Sequence, residues 1–261
     1  MKKSGKLLAA AAIGAAAVLT VSCGSRKEEA ELRMTAIQQL DGGDYEGAIS
    51  TFDMALQEGN GRVGEMELDI LKYRAEAEYK AGDCAAASHT WDILIEVDGE
   101  QPEYLYARSI SKAGEGRIDQ ALADYEAAAA MDIQMDRDVF GREDALLAVG
   151  KALEEAGQTD RASQLYEKAL EEGVGGGSAQ VLNALAVSLM ESGNYEEALS
   201  FLEKGIATGD EAVMADLLFN QAAAYEYMSQ YEKALELFQA YEAAYGPDEA
   251  AQKEITFLST R

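Results

Sequence analysis

Hydrophobic residues after position 29 recur at spacings of three and four residues, the spacing that places side chains on one face of an α-helix. Three stretches repeat this pattern with nearly the same residues: GDYEGAISTFDMAL (43–56), GNYEEALSFLEKGI (193–206) and QYEKALELFQAY (230–241). No stretch alternates apolar and polar residues for long enough to predict a strand, and each of the two prolines can begin a helix. The pattern predicts an all-α fold.

The similar stretches share a register, which is set by the glycine that opens most of them. We call this residue the reference position, and it occurs six times: Gly43, Gly82, Gly116, Gly157, Gly193 and Ser229. Consecutive reference positions are 39, 34, 41, 36 and 36 residues apart. A period of this length is typical of helix-turn-helix units that stack on one another, with the glycine ending the first helix of each unit in a left-handed conformation.

Small and bulky residues hold constant places in this register. Alanine stands five residues after the reference position: Ala48, Ala87, Ala121, Ala162, Ala198 and Ala234. A large apolar residue stands nine after it: Phe52, Trp91, Tyr125, Tyr166, Leu202 and Phe238. A small residue stands seven before it: Ala36, Ala75, Ser109, Gly150, Ala186 and Ala222. Because larger side chains overpack a close helix crossing, the small residues predict crossings and the bulky ones predict seams between units.

This pattern resembles the tetratricopeptide repeat, a helix-turn-helix unit, although the proline near the end of that family's unit is largely missing. The resemblance implies an all-α, right-handed α-solenoid over 29–246 with about six units. These units lie near residues 29–62, 68–101, 102–135, 143–176, 179–212 and 215–246. A capping segment over 247–261 follows, and we expect its helix to span 247–259, to begin at Pro247 and to cover the last unit with Ile255, Phe257 and Leu258.

The amino terminus carries the pattern of an export signal. Three lysines within the first six residues precede an uncharged, mostly apolar run over 7–21. This run suits a secretory signal and is shorter than the ~20 residues of a membrane-spanning helix. We therefore predict a signal peptide over 1–22, and a short membrane anchor that is never cleaved is the alternative.

Cys23 follows this run and extends the prediction. A small residue before a cysteine resembles a bacterial lipobox, although Thr20 stands where that motif prefers leucine. The resemblance implies that Cys23 carries a diacylglyceryl group, which meets the requirement for more than one buried chain. A polar tether over 23–28 would then hold the solenoid on the extracytoplasmic face of the cell membrane.

The composition is strongly acidic and limits the partners. The chain has 22 lysines and arginines against 48 aspartates and glutamates, a net charge of −26. Removing the signal peptide takes away three lysines, which leaves −29. Such a surface repels nucleic acid and anionic lipid headgroups and favours basic partners, although acids also serve merely to solvate exposed helix faces.

Candidate chemistry is sparse. One histidine, His89, is expected on an outward face, and no HExxH, GxSxG or cysteine–histidine cluster accompanies it. The segment DIQMDRD (132–138) lacks the glycine and the final glutamate of an EF-hand loop, and EEGVGGGSAQ (171–180) predicts a turn or hinge with Ser178 capping the next helix. Cys84 is expected as a small buried residue. We expect no enzymatic activity, cofactor, metal ion or small-molecule substrate.

The remaining candidate surface is the groove that the family resemblance places along the first helix of each unit. The resemblance implies that these residues contact a protein or peptide: Arg33, Ile37, Leu40, Lys72, Glu76, Tyr79, Tyr106, Ile110, Lys151, Glu154, Asn183, Val187, Met190, Phe219, Ala223 and Tyr227. Aromatic side chains on a rigid groove suit binding anchors, and packing between helices is the alternative for Tyr79, Tyr106 and Phe219. The carboxylate clamp of chaperone-binding members is absent, since Arg33, Ile37 and Tyr73 occupy its places.

The leading hypothesis is a non-enzymatic binding scaffold that is lipid-anchored outside the cytoplasmic membrane. Two alternatives belong to other classes: a structural protein that assembles end to end, and an accessory subunit of an envelope enzyme. Fold alone does not decide among them.

Overall fold

The computed structural model describes residues 25–59, 61, 63–132 and 141–261, so the predicted signal peptide and Cys23 lie outside the described residues. The described residues form helices and no strand. The thirteen helices are α1 Ser25–Asp41, α2 Tyr45–Glu58, α3 Glu65–Lys80, α4 Cys84–Asp98, α5 Pro102–Gly114, α6 Ile118–Asp132, α7 Arg142–Glu155, α8 Thr159–Glu171, α9 Ala179–Glu191, α10 Tyr195–Thr208, α11 Met214–Tyr227, α12 Tyr231–Tyr245 and α13 Glu249–Leu258.

The chain divides into two compact units, an N-terminal unit that ends at Arg142 and a C-terminal unit over Glu143–Arg261. In the N-terminal unit, consecutive helices pack as the pairs α1/α2, α3/α4 and α5/α6. In the C-terminal unit the pairs α9/α10 and α11/α12 pack in the same way, and α13 packs on α12. No helix in the described part of the chain combines the length and the apolar character that crossing a bilayer requires.

The turn inside each helix pair confirms the role predicted for the reference position. All five reference glycines have positive φ, between 71° and 85°, and Ser229 has φ 62° in the same place. Asp44 and Asp83 follow two of these glycines and cap the next helices, because their carboxylates accept hydrogen bonds from the backbone N–H of Gly47 and Ala86. The serine at 229 adopts a conformation that L-residues other than glycine reach only at a steric cost.

The small residues lie at helix crossings, as predicted. The six alanines that follow the reference positions are fully buried, and the small residues seven before the reference positions are buried too. Gly150 shows the reason most directly, because a Cβ there would lie 2.1 Å from the Tyr166 hydroxyl oxygen. Gly205 packs similarly, with the Leu217 side chain 2.6 Å from the place of a Cβ. A methyl group at either site would displace the facing side chain.

The bulky seam positions are buried in five of six cases, and Trp91 is the exception. Its indole is half-buried, and Leu94 fills the core of the same helix instead. Trp91 stacks on Tyr104 of α5, with ring centroids 6.0 Å apart. One face of the indole therefore stays available at the surface of the N-terminal unit.

The C-terminal helix differs from its prediction at both ends. It begins at Glu249 because the Asp248 carboxylate accepts a hydrogen bond of 2.8 Å from the Ala251 N–H, so Asp248, and not Pro247, sets the start. Leu258 is buried against the last unit, whereas Phe257 remains 41% exposed. The prediction that Phe257 covers the last unit is wrong, since its ring carries the guanidinium of Arg261, 4.3 Å from the ring centroid.

Two arginines that are 34 residues apart organise a polar network in the N-terminal unit, which the sequence pattern did not predict. Arg74 of α3 donates to Asp53 of α2 at 2.7 Å and to Thr90 of α4 at 2.6 Å. It also pairs with the buried Glu78 at 2.6 Å, and Thr90 donates to that same carboxylate. Each arginine therefore ties its own helix pair to the preceding one.

The second arginine, Arg108 of α5, repeats this arrangement one unit later. It donates to Asp92 of α4 and forms a two-pronged pair with Asp124 of α6, all at 2.7 Å. Lys112 reaches the same Asp124 at 2.6 Å. Paired arginine–carboxylate forks of this kind fix the helices in one orientation.

The remaining predicted features lie in turns and at helix starts. Ser178 caps α9 by accepting from the Val181 N–H, as predicted, and donates to Glu143 of α7 at 2.6 Å. His89 is exposed, as predicted. Cys84 begins α4 and is half-buried, not buried as predicted, with its sulfur 2.6 Å from the place of a Cβ on Gly114. Of the 132–138 segment, only Asp132 lies within the described residues.

Candidate peptide-binding groove

A groove of about 440 Å³ opens in the N-terminal unit between α3 and α5, with α4 beneath it. It is lined by Asp69, Lys72, Tyr73, Ala75, Glu76, Tyr79, Trp91, Glu103, Tyr104, Ala107, Ile110 and Ser111. α3 and α5 are the first helices of two consecutive repeats. The groove therefore lies where the family resemblance predicts partner binding.

Helical periodicity explains which side chains reach the groove. On α3 the lining residues recur at spacings of three and four, from Asp69 through Lys72 and Glu76 to Tyr79. On α5 the same spacing runs from Glu103 through Ala107 to Ile110. The small side chain of Ala107 leaves room for the cavity. The two helices thus present one face each to a common space.

The aromatic floor of the groove is held in place from two sides. Tyr104 stacks on Trp91 at an interplanar angle of 29°, and its hydroxyl donates to Asp98 at 2.9 Å. Burial, followed by the Asp98 carboxylate, raises the pKa of Tyr104 well above its usual range, so the phenol stays neutral and stays a donor. The Lys72 ammonium lies over the Tyr104 ring, 5.0 Å from its centroid.

Ion pairs set the charge around the groove. Arg33 of α1 bonds to Asp69 at 2.5 Å and lies over the Tyr73 ring at 5.7 Å. Glu76 pairs with Lys80 at 2.8 Å along α3. Arg33 does not line the cavity, yet it holds two residues that do. The groove thus combines neutral aromatic faces with carboxylates at its edge.

The structure brings four of the predicted contact residues together here, namely Lys72, Glu76, Tyr79 and Ile110. Tyr79 is 43% exposed, so its ring is open to solvent. Two other residues of this unit do not serve as contact residues: the prediction for Leu40 is wrong, and for Tyr106 the alternative of packing between helices is confirmed. Leu40 is buried in the core between α1, α2 and α3, and Tyr106 is fully buried, where its hydroxyl donates to Asp132 at 3.2 Å. Neither side chain offers surface to a partner. Ile37 packs against the same core as Leu40 and is half-buried.

The predicted contact residues of the C-terminal unit lie on α7, α9 and α11, the first helices of its repeats. Their role in binding stays a prediction. Lys151 is exposed, Glu154, Val187, Met190 and Ala223 are half-buried, and Asn183 accepts a hydrogen bond of 2.9 Å from Asn220. Phe219 packs edge-on against Phe238, with ring centroids 5.3 Å apart. Tyr227 is exposed and stacks on Tyr195.

Three aromatic residues of the groove were missed as contact residues. Trp91 carried a signal in its register, but that signal indicated the core. Tyr73 and Tyr104 stand nine and twelve residues before their reference positions, where the pattern assigns no role. Within the described ranges no group of histidine, cysteine, aspartate and glutamate side chains is arranged to hold a metal ion.

Comparison with solved structures supports the fold. PilW, described as a widely conserved type IV pilus biogenesis factor, is 17% identical, with a TM-score of 0.65, covering 89% of this chain and 99% of its own. Pseudomonas aeruginosa pilF is 14% identical, with a TM-score of 0.62, covering 91% and 100%. YrrB, described as a TPR protein with an unusual peptide-binding site, is 19% identical, with a TM-score of 0.54, covering 77% and 94%. These likenesses show an all-helical solenoid of the TPR type.

Comparison with sequence families locates the repeats directly. One tetratricopeptide repeat profile matches residues 74–138 and again 106–173, and a second matches 153–218. Together they span residues 74–218, more than half of the chain. No curated protein matches. The chain belongs to the tetratricopeptide repeat family.

Proposed function

We propose that this protein is a non-enzymatic scaffold that binds a protein or peptide in the groove between α3 and α5. The observation that carries the proposal is the groove's construction: exposed aromatic surface on a floor that hydrogen bonds and ring stacking hold rigid. A preorganised aromatic surface binds a partner without the cost of ordering its own side chains. Repeat proteins of this family typically serve as interaction scaffolds, which supports the same assignment.

The second part of the proposal is the location. Cys23 would carry the lipid, and the tether over 23–28 would hold the folded chain on the outer face of a bacterial cytoplasmic membrane. Support comes from the lysines, the apolar run and the cysteine of the sequence. The acidic surface would then favour a basic partner outside the cell membrane over nucleic acid.

The groove is tested by photocrosslinking in cells. The photoreactive residue p-benzoylphenylalanine replaces Tyr79 of the groove or, as a control, Tyr245 of α12, since these side chains are similarly exposed at 43% and 47%. We expect a discrete crosslinked partner from position 79 only. No adduct at position 79, or the same adducts at both positions, would remove the groove from the proposal.

The anchor is tested separately with two cysteine variants. Cys23→Ala should abolish incorporation of radiolabelled palmitate and move the protein from the membrane fraction to the soluble fraction. Cys84→Ala, which changes the half-buried thiol at the start of α4, should alter neither result. Palmitate retained by the Cys23→Ala variant would disprove lipidation at this residue.

A further inference from the structure

We propose that the groove is built for a basic segment: an arginine or lysine side chain lies on the Tyr104 ring, and an apolar side chain of the same segment packs at Tyr79 and Ile110. This inference rests on the proposed binding function and specifies its ligand. The occupant is therefore an extended peptide segment that carries positive charge next to an apolar anchor.

The first argument is that the aromatic faces of the groove already carry cations. The Lys72 ammonium lies 5.0 Å from the Tyr104 centroid, and the Arg33 guanidinium lies 5.7 Å from the Tyr73 centroid. Ring faces attract cations through their negative quadrupole, and the attraction strengthens where water is partly excluded. Tyr104 is only 3% exposed with Lys72 over its ring, so a partner's cation reaches this ring when the flexible Lys72 side chain moves its ammonium into solvent.

The second argument is charge. Three carboxylates line the groove: Asp69, Glu76 and Glu103. Arg33 and Lys80 already pair with the first two, so Glu103 is the carboxylate that a partner's cation can meet. The chain around it carries a net charge of −26. A cationic segment is drawn to such a site and an acidic one is repelled.

The third argument is the order of polar and apolar residues along the groove. Asp69, Lys72 and Glu103 lie in the amino-terminal halves of α3 and α5, whereas Tyr79 and Ile110 lie in the carboxyl-terminal halves. Glu76 also lies in the carboxyl-terminal half of α3, where Lys80 pairs with its charge. Lys72 and Tyr79 are seven residues apart, which is about 10 Å along a helix. An extended peptide covers that distance in about three residues. The ligand's basic and apolar side chains are therefore expected about three positions apart.

Trp91 provides a direct measurement, because it is the only tryptophan of the chain and lines the groove. The probe is an acetylated and amidated dodecapeptide of glycine and serine that carries two arginines, each three residues from a leucine. Its matched control replaces both arginines with citrulline, which keeps the shape and removes the charge. Both are titrated against the full-length chain in a mild nonionic detergent, with tryptophan fluorescence as the signal.

We expect the arginine peptide to bind at least tenfold more tightly than the citrulline peptide at low salt, and the ratio to fall at high salt. Equal affinities would overturn the inference. So would binding of neither peptide. In both cases the photocrosslinks from position 79 decide separately whether the groove binds a partner.

Variants of the protein distinguish binding at the Tyr104 ring from general attraction by the negative charge of the chain. Lys72→Met removes the competing ammonium, so the arginine peptide should bind several-fold more tightly, whereas weaker binding would contradict displacement.

Glu103→Gln should weaken binding of the arginine peptide several-fold and leave binding of the citrulline peptide unchanged. Glu232→Gln is the matched control, since Glu232 is also an exposed acid in the first turn of a helix and lies in the C-terminal unit. A loss of the same size in this control would assign the effect to net charge and overturn the site.

Discussion

The N-terminal and C-terminal units differ in the residues at their helix crossings, which are polar in the first and apolar in the second. In the N-terminal unit, the repeats with reference residues Gly82 and Gly116 have residues of the polar network eight before and eight after the reference position: Arg74 and Arg108 before, Thr90 and Asp124 after. In the C-terminal unit, the same repeat positions of the units with reference residues Gly157 and Gly193 hold Val149 and Leu185 before, Leu165 and Phe201 after. The positions four before the reference differ in the same way: the N-terminal unit has Glu78 and Lys112, and the C-terminal unit has Leu153 and Leu189.

This difference teaches that the repeat register fixes backbone geometry and leaves the chemistry of the crossing open. Leucine at such a position gains stability by leaving water, whereas arginine at the same position needs several partners in fixed places. The arginine version is therefore more directional but fails when a single partner is lost. The following predictions test the contrast, from the largest effect to the smallest.

Leu185→Asp should be the most damaging change. Leu185 is fully buried, and its neighbours in the register, Leu189 and Phe201, offer no hydrogen bond. A buried carboxylate without partners should cost about 4 kcal/mol or more. Hydrogen exchange read by mass spectrometry should show the loss in the C-terminal unit. Leu185→Ala is the control for lost volume alone, and an Asp variant no less stable than the Ala variant would contradict the prediction.

Arg108→Leu should destabilise the N-terminal unit by about 3 kcal/mol, because Asp124 would keep Lys112 but lose its two arginine bonds. The triple variant Arg108→Leu, Lys112→Leu and Asp124→Leu converts this crossing to the apolar kind. It should regain most of the loss, to within about 1 kcal/mol of the parent chain. Chemical denaturation of both variants gives the two numbers. A triple variant weaker than the single one would show that the crossing requires charge.

Among the described residues, each unit also contains a carboxyl group whose pKa is raised to about 7. Burial and the facing Glu67 raise the pKa of Glu29 to about 7, and burial with Glu191 and Glu155 raises that of Glu154 to about 7. The folded chain then holds these protons more tightly than the unfolded chain, so stability should fall as pH rises from about 4.5 to 7 and stay low above.

Glu29→Gln should remove its share of that pH dependence, with a gain on the order of 2 kcal/mol at pH 8, because the carboxyl is only 1% exposed. Glu154→Gln should act in the same direction in the other unit. Thermal unfolding at pH 5 and pH 8 measures both. The exposed Glu232→Gln is the control, and an unchanged pH profile in the Glu29 variant would contradict the prediction.

The smallest effect is expected at the turns. Ser229→Gly should stabilise the C-terminal unit by about 0.5–1 kcal/mol, because glycine adopts φ 62° without the Cβ clash. Gly116→Ala in the N-terminal unit should cost about 1 kcal/mol for the opposite reason, since its φ is 74°. Urea denaturation midpoints compare the two. A loss of stability in the Ser229 variant would show that its side chain contributes a bond worth more than the strain.

Much of the fold could be predicted because its rules are local. A glycine with positive φ, an alanine at a crossing and a spacing of three and four each depend on a few neighbouring residues. Trp91 is half-buried although the other residues at its repeat position are buried. Its ring stacks on Tyr104, thirteen residues away, and the repeat pattern does not predict this contact. Leu40 was misassigned, and Tyr106 was left between groove and core, because the tertiary neighbours of a helix decide which of its side chains are buried.

The polar network could have been found in the sequence. Arg74 and Arg108 occupy the same register position 34 residues apart, and Asp53 and Asp92 share another. Their periodicity was visible, but charge at a repeated position usually indicates a solvated face. Only the three-dimensional contacts distinguish arginines that bridge helix pairs from arginines that solvate one.

The thiol at the start of α4 has a consequence for redox chemistry. Burial, followed by the carboxylates of Glu115 and Asp83, raises the pKa of Cys84, so little of it is thiolate at neutral pH. The thiolate is the form that attacks oxidants and disulfides, and Gly114 leaves the sulfur space against the neighbouring helix. We therefore expect Cys84 to form disulfides more slowly than an exposed cysteine with an ordinary pKa.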